Sequence, residues 1–177
     1  MKGSALGNWV TGLLVAGLLI GAVLMGFVET KTALDGQPAP QFELTLFTGG
    51  QISSEQLKGK VVMLDFWATW CPPCIEEMPW LVKVAKEYES RGVAFVAVSH
   101  DDGDTAVEDV TRFIARDVPD LKPYVAYGDP ATGARFKVRA LPTIFILDKK
   151  GQITGSQTGQ VSERKVRAWL DEALAAP

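Results

Sequence analysis

Two cysteines, Cys71 and Cys74, and one histidine, His100, are the residues of this chain best suited to covalent or metal chemistry. The spacing Cys-x-x-Cys suits a redox dithiol or half of a zinc site. A structural zinc ion takes a full tetrahedral set of mostly Cys and His ligands, and these side chains do not complete one. A redox pair needs only two sulfurs close enough to bond. The flanks fit that chemistry. Val61-Val62-Met63-Leu64 is an apolar run that continues through Phe66 and Trp67, and it reads as a strand buried on both faces. Beyond the cysteines, Ile75, Met78, Leu81, Val82 and Ala85 recur at helical spacing. The pair therefore falls where a buried strand turns into a helix. That places Cys71 at an exposed helix start, where free N–H groups and the helix dipole favour a thiolate. The thiolate is the species that attacks a disulfide.

The block Asp65-Phe66-Trp67-Ala68-x-Trp70-Cys71-x-Pro73-Cys74, with Pro79 in the following helix and Leu141-Pro142-Thr143 downstream, resembles the thioredoxin superfamily. More closely, Trp70-Cys71-x-Pro73-Cys74-x-x-Glu77-x-Pro79 behind an apolar N-terminal stretch is similar to the membrane-tethered reductases of the bacterial cell envelope, the TlpA, ResA and CcmG type. The resemblance covers about residues 38–175 and is most specific in the active-site block. It implies an α/β, thioredoxin-like fold: a central mixed sheet flanked by helices, with an N-terminal β-hairpin and an α/β insertion at 101–136. It also implies a thiol-disulfide oxidoreductase that works through its own cysteine pair, without cofactor or metal.

Within that frame Cys71 is the nucleophile and Cys74, one turn in, resolves the mixed disulfide. Asp65 interrupts a buried apolar strand, so its carboxyl should be desolvated and its pKa raised. Such a group can accept the Cys74 proton, and the resemblance places an aspartate of that kind here. The plain alternative is an ion pair with Lys60 or Lys83. Glu77 follows Cys74 by one turn on the same helix face. The resemblance implies a glutamate that tunes the cysteines; the plain alternative is a surface residue like Glu76. Which carboxylate moves the proton stays open. Pro72 and Pro73 lack N–H groups and withdraw two donors from the Cys71 sulfur, which would make the pair more reducing. Equally, proline is a good helix initiator. The resemblance makes the bond before Pro142 cis and lets an extended substrate add to the backbone there, touching Ala140 and Leu141. Trp70 offers an apolar docking surface, while Trp67, Trp80 and Trp169 read as packing. His100-Asp101-Asp102-Gly103-Asp104 reads as a strand-to-helix loop capped by Asp104 rather than a metal site.

The remaining elements follow from pattern. Phe42, Leu44 and Leu46 alternate as a half-buried strand, Gly49-Gly50 turns, and Gln51-Ile52 returns. Ser53 or Ser54 caps a short turn of helix before Gly59. A helix holding Pro79 runs from about Pro72 to Ser90, then a buried parallel strand over Val93–Ser99. Val107, Val110 and Ile114 share one face of a helix over 105–117. Tyr124–Tyr127 reads as a short strand and 131–136 as a short helix. Thr143–Leu147 and Gln152–Gln157 form a hairpin. Ser162 caps the last helix, with Val161 and Val166 as a hydrophobic staple.

Residues 9–28 carry no charge and, at helical rise, span about 30 Å, the thickness of a bilayer core. The expected organisation is a short cytoplasmic stretch at 1–8, a transmembrane anchor at 9–28, a tether at 29–41 and the thioredoxin-like domain at 42–177. Lys2 before the span favours a single pass in the bacterial cytoplasmic (inner) membrane with the domain on the periplasmic, extracytoplasmic side. The alternative, a cleaved signal peptide, has a shorter apolar core of about 7–15 residues. Gly17 and Gly21 form a G-x-x-x-G that would let two anchors pack. A formal net charge of −3 gives no reason to expect nucleic acid as a partner. The partners expected instead are envelope proteins with disulfides, such as apocytochrome c or copper-site assembly factors. An upstream membrane thiol reductase must recharge the pair, because the compartment is oxidising. Rival readings are a disulfide-donating oxidase, a peroxiredoxin-like peroxidase and a copper-binding chaperone.

Overall fold

The computed structural model describes residues 31–176. The proposed anchor at 9–28 lies outside the described residues. Among the described residues no helix is long and apolar enough to cross a membrane.

The elements run β1 (Glu43–Leu46), β2 (Gln51–Ser53), β3 (Val61–Trp67), α1 (Pro72–Glu89), β4 (Val93–Ser99), α2 (Ala106–Arg116), a 3-10 segment (Pro119–Tyr124), β5 (Val125–Tyr127), α3 (Pro130–Arg135), β6 (Thr143–Leu147), β7 (Ile153–Thr158) and α4 (Glu163–Ala175). They build one mixed sheet in the order β2-β1-β5-β4-β3-β6-β7. β3 lies in the interior of the sheet, parallel to β4 and antiparallel to β6. Every residue of β3 is buried, as its unbroken apolar run requires of a strand covered on both faces. Successive side chains alternate between faces. Val61, Met63 and Trp67 join the core that also holds Cys71, Cys74 and residues of α1, α2 and α4. Val62, Leu64 and Phe66 join a second core with Phe42, Leu57 and Phe136. The same alternation puts Asp65 on the cysteine face.

The stretch expected to be a free tether behaves differently from Lys31 onward. Thr32 donates from its N and Oγ1 to Ser156 Oγ, Gly36 N donates to Ile153 O and Ala39 N to Gly151 O. Leu34 is buried. These residues cover the outer edge of β7, whose free N–H and C=O groups need partners. One apolar side chain and a run of backbone bonds outweigh a breaker-rich composition.

Smaller differences have equally local causes. Val107 is exposed, and Phe113 takes its place beside Val110 and Ile114 on the buried face of α2. Asp104 does not cap α2; the N-cap is Thr105, without a side-chain bond. The stretch before Gly59 is a turn in which Ser53 N donates to Gln56 Oε1. Ser162 caps α4 by accepting from Lys165 N, and Val161 and Val166 are both buried.

Two close fits give direct tests. A Cβ built on Gly155 would lie 2.6 Å from Trp169 Cδ2. Gly155→Ala is therefore expected to cost about 1–3 kcal/mol in denaturant unfolding, because Trp169 Cγ at 2.7 Å crowds the same point and the indole must shift. α3 ends in a Schellman turn, with Val138 N donating to Gly133 O and Lys137 N to Ala134 O. The left-handed position falls on Lys137, at φ 53°. Lys137→Gly is expected to stabilise the fold by about 1 kcal/mol in the same measurement.

Candidate active site

β3 delivers the chain to the site. After Trp67 the backbone leaves the sheet through Ala68, Thr69 and Trp70, and Cys71 becomes the N-cap of α1. Cys71 N donates to Ala68 O and Ile75 N donates to Cys71 O. Cys71 and Cys74 are joined by a disulfide with Cα atoms 5.3 Å apart. Pro72 and Pro73 occupy the first two helical positions, so the first N–H inside the helix belongs to Cys74. The expectation of an exposed Cys71 needs correction: in the disulfide form it is only 4% exposed and Cys74 is fully buried. What reaches solvent beside them is Trp70, 64% exposed, together with Pro72.

Asp65 is fully buried, and neither of its carboxylate oxygens has a hydrogen-bond partner among the described residues. The ion pair with Lys60 or Lys83 is not formed. Burial pushes its pKa up from 3.8 to about 8. Glu77 is buried in α1 while its neighbour Glu76 is exposed. Its Oε2 accepts a long bond from Val161 N at 3.4 Å, and its Oε1 has no partner among the described residues. Burial, and then the charge of Asp65, push Glu77 up to about 9, against a small opposing effect of the Val161 bond. Two neighbouring buried carboxyls raised in this way hold at least one proton at neutral pH, and they titrate as a pair.

The bond Leu141–Pro142 is cis. The register Phe66↔Thr143 puts Pro142 level with the end of β3, where the chain departs toward Cys71. Leu141 packs against the core that includes both cysteines. Ala140 is exposed, its carbonyl accepting from Thr143 Oγ1 at 2.7 Å. Trp67 is fully buried in the same core.

His100 stands at the same pole but on the other face. Its ring meets Phe66 edge-on at 5.3 Å and lies against Gly133, and burial lowers its pKa. Among the described residues no cluster of His, Cys, Asp or Glu could hold a metal ion. Asp101, read from sequence as an ordinary loop residue, is bonded to Thr69 and Ser99. The only sequence signal for that contact is a polar Ser99 closing an apolar strand.

The comparisons with known proteins agree with this geometry. The sequence model of the family described as Redoxin matches residues 34–174. The chain is 36% identical over 137 residues to the thioredoxin-like protein YneN of Bacillus subtilis (strain 168), covering 77% of this chain and 79% of that protein. It is 33% identical over 150 residues to a thiol-disulfide oxidoreductase ResA of Bacillus cereus, covering 83% of each. The crystal structure of a thiol:disulfide interchange protein of the thioredoxin family from Chlorobium tepidum TLS superposes with a TM-score of 0.68 at 29% identity, covering 81% of this chain and all of that one, 100%.

Proposed function

We propose, since the chain belongs to the Redoxin family and is a thioredoxin-like thiol-disulfide oxidoreductase, that it reduces disulfides of envelope proteins by exchange at Cys71 and Cys74. The Cys71 thiolate attacks one sulfur of the substrate disulfide. That S–S bond breaks, the departing substrate sulfur takes a proton, and a mixed disulfide forms. Cys74 gives its proton to the Asp65/Glu77 pair and attacks the Cys71 sulfur. The second substrate sulfur leaves as a thiolate and takes a proton from that pair or from water, and two electrons have passed from the enzyme to the substrate. The oxidised pair is the Cys71–Cys74 disulfide seen here. A dithiol on a membrane reductase would restore it by the reverse exchange.

The observation that carries this reading is the placement of the disulfide at the start of α1, on the face of the sheet that buries two carboxyls, Asp65 and Glu77. Pro72 and Pro73 favour the reducing direction, since a thiolate with fewer backbone donors is less stabilised. The uncharged run at 9–28 supports a single-pass anchor with the domain outside the cytoplasm. Apocytochrome c and copper-site assembly factors are substrates of the right kind, because both present cysteines that must be kept reduced.

The test is to express the full chain with Cys74→Ser and identify by mass spectrometry what is bound to Cys71. Envelope proteins trapped through a cysteine support the proposal; trapping of cytosolic proteins alone, or of none, rejects it. A reduction potential near the oxidising end of the range from roughly −270 to −120 mV would favour the oxidase reading instead.

A further inference from the structure

The register pairs Trp67 with Ser99, so the chains leaving β3 and β4 depart side by side. His100 N donates to Trp67 O at 2.8 Å. One residue further on, Asp101 reaches across to the turn that leads into the cysteines. Thr69 N–H is shared between Asp101 Oδ1 and Oδ2, each at 3.1 Å, and the Thr69 hydroxyl donates to Oδ1. Ser99, fully buried, donates its hydroxyl to Oδ2 at 2.8 Å and accepts from Asp101 N at 3.1 Å. The carboxylate therefore serves three donors from two strand ends. An ionised carboxylate offers two acceptor oxygens for this task, whereas an asparagine amide offers one and adds a competing donor. Bonds to a charged acceptor are also the stronger kind.

The turn needs such a hold. Trp70 is 64% exposed and is not anchored by its own packing. Apart from Asp101, the tie within the turn is Cys71 N to Ala68 O at 3.2 Å. When the disulfide opens, the S–S link between Cys71 and Cys74 is lost as well, and that is the state in which the enzyme meets a substrate to be reduced.

We propose that Asp101 is a positioning residue for disulfide exchange: through Thr69 it fixes the turn that presents Trp70 and Cys71 to an extended polypeptide carrying a disulfide. This rests on the reading that Cys71 is the attacking sulfur. A loosened turn still contains a competent thiolate but presents its docking surface poorly. The loss therefore falls on KM for a protein substrate and not on kcat.

The experiment uses the full chain, with insulin as the protein disulfide and dithiothreitol recharging the pair. Asp101→Asn and Thr69→Val are each expected to raise KM about tenfold, about 1.4 kcal/mol, with kcat within about twofold. Thr69→Ser, which keeps both donors, is expected to stay near the wild-type KM. In a Trp70→Ala background, Asp101→Asn should add less than about twofold, because both changes disable the same platform. A fall in kcat with KM unchanged, or full additivity with Trp70→Ala, overturns the proposal. If Asp101→Asn does not fold, Thr69→Val and its rescue by Thr69→Ser decide between the same two outcomes. No insulin reduction by the unmodified chain would instead defeat the exchange reading on which the proposal stands, and the proposal with it.

Discussion

Cys71→Ser leaves less than about a thousandth of the disulfide-reducing turnover. A serine hydroxyl stays protonated across the working pH range and cannot form the mixed disulfide, so neither half of the exchange proceeds. The loss is not an unfolding effect. Opening a disulfide that closes so short a loop costs about 2 kcal/mol by chain entropy; the two cysteines are a small part of one core, and the core on the other face of the sheet does not include them. Near-UV circular dichroism should therefore remain native while turnover vanishes, and insulin turbidity measured beside it completes the check. Retention of even a tenth of the activity would move the attacking group elsewhere. A peroxidase would lose activity with Cys71 too, so the wild-type chain must also fail to consume peroxide with a thiol donor. A copper-binding chaperone is distinguished by tight Cu(I) binding without insulin reduction.

How much of this is legible in the sequence depends on how local each signal is. β3 and β4 are readable as strands because both are unbroken apolar runs, and Val93–Ser99 emerges with the bounds the structure gives it. Asp65 stands out because nothing else in its strand is polar. Glu77 is harder, since Glu76 beside it has the same side chain. The two differ only in the angle each takes around α1, and that angle has meaning only once α1 is seated on the sheet. The edge strip at 32–39 is invisible because its stabilisation comes from β7, more than a hundred residues later. Asp101 escapes for the same reason, since its partner Thr69 lies on another strand end. Val107 falls on the wrong side because apolar spacing on a short helix fits more than one face. The choice is made by Trp67, which packs on Phe113 with ring centroids 5.2 Å apart.

Asp65→Asn separates stability from activity, and the sign of its effect follows from the buried pair. Asp65 is raised from 3.8 to about 8 and Glu77 from 4.5 to about 9. Between about pH 4 and pH 9 the folded chain thus binds more protons at these groups than the unfolded chain does. Stability from them is fully present below pH 4 and falls as pH rises through that window, levelling above it. Asparagine removes the carboxylate that must otherwise be ionised without a partner, and it also removes the charge that helps to raise Glu77. In guanidinium unfolding at pH 5, 7 and 9, the variant should show the shallower loss with pH. It should be about 1–3 kcal/mol more stable than wild type at pH 9, the size of an unsatisfied buried polar group. At pH 5 the gap should close or reverse, since Asp65 is then a neutral acid of the same shape. Turnover should move the opposite way. Without the carboxyl to take the Cys74 proton, resolution of the mixed disulfide should slow by about a hundredfold, seen as accumulation of that species in single-turnover quenching. A residue kept only for packing would not make the protein both sturdier at high pH and slower at one defined step. Parallel unfolding profiles would show that burial does not raise Asp65, and unslowed resolution of the mixed disulfide would show that Asp65 does not carry the proton. Glu77, which accepts from Val161 N just ahead of α4, would then be the group to replace.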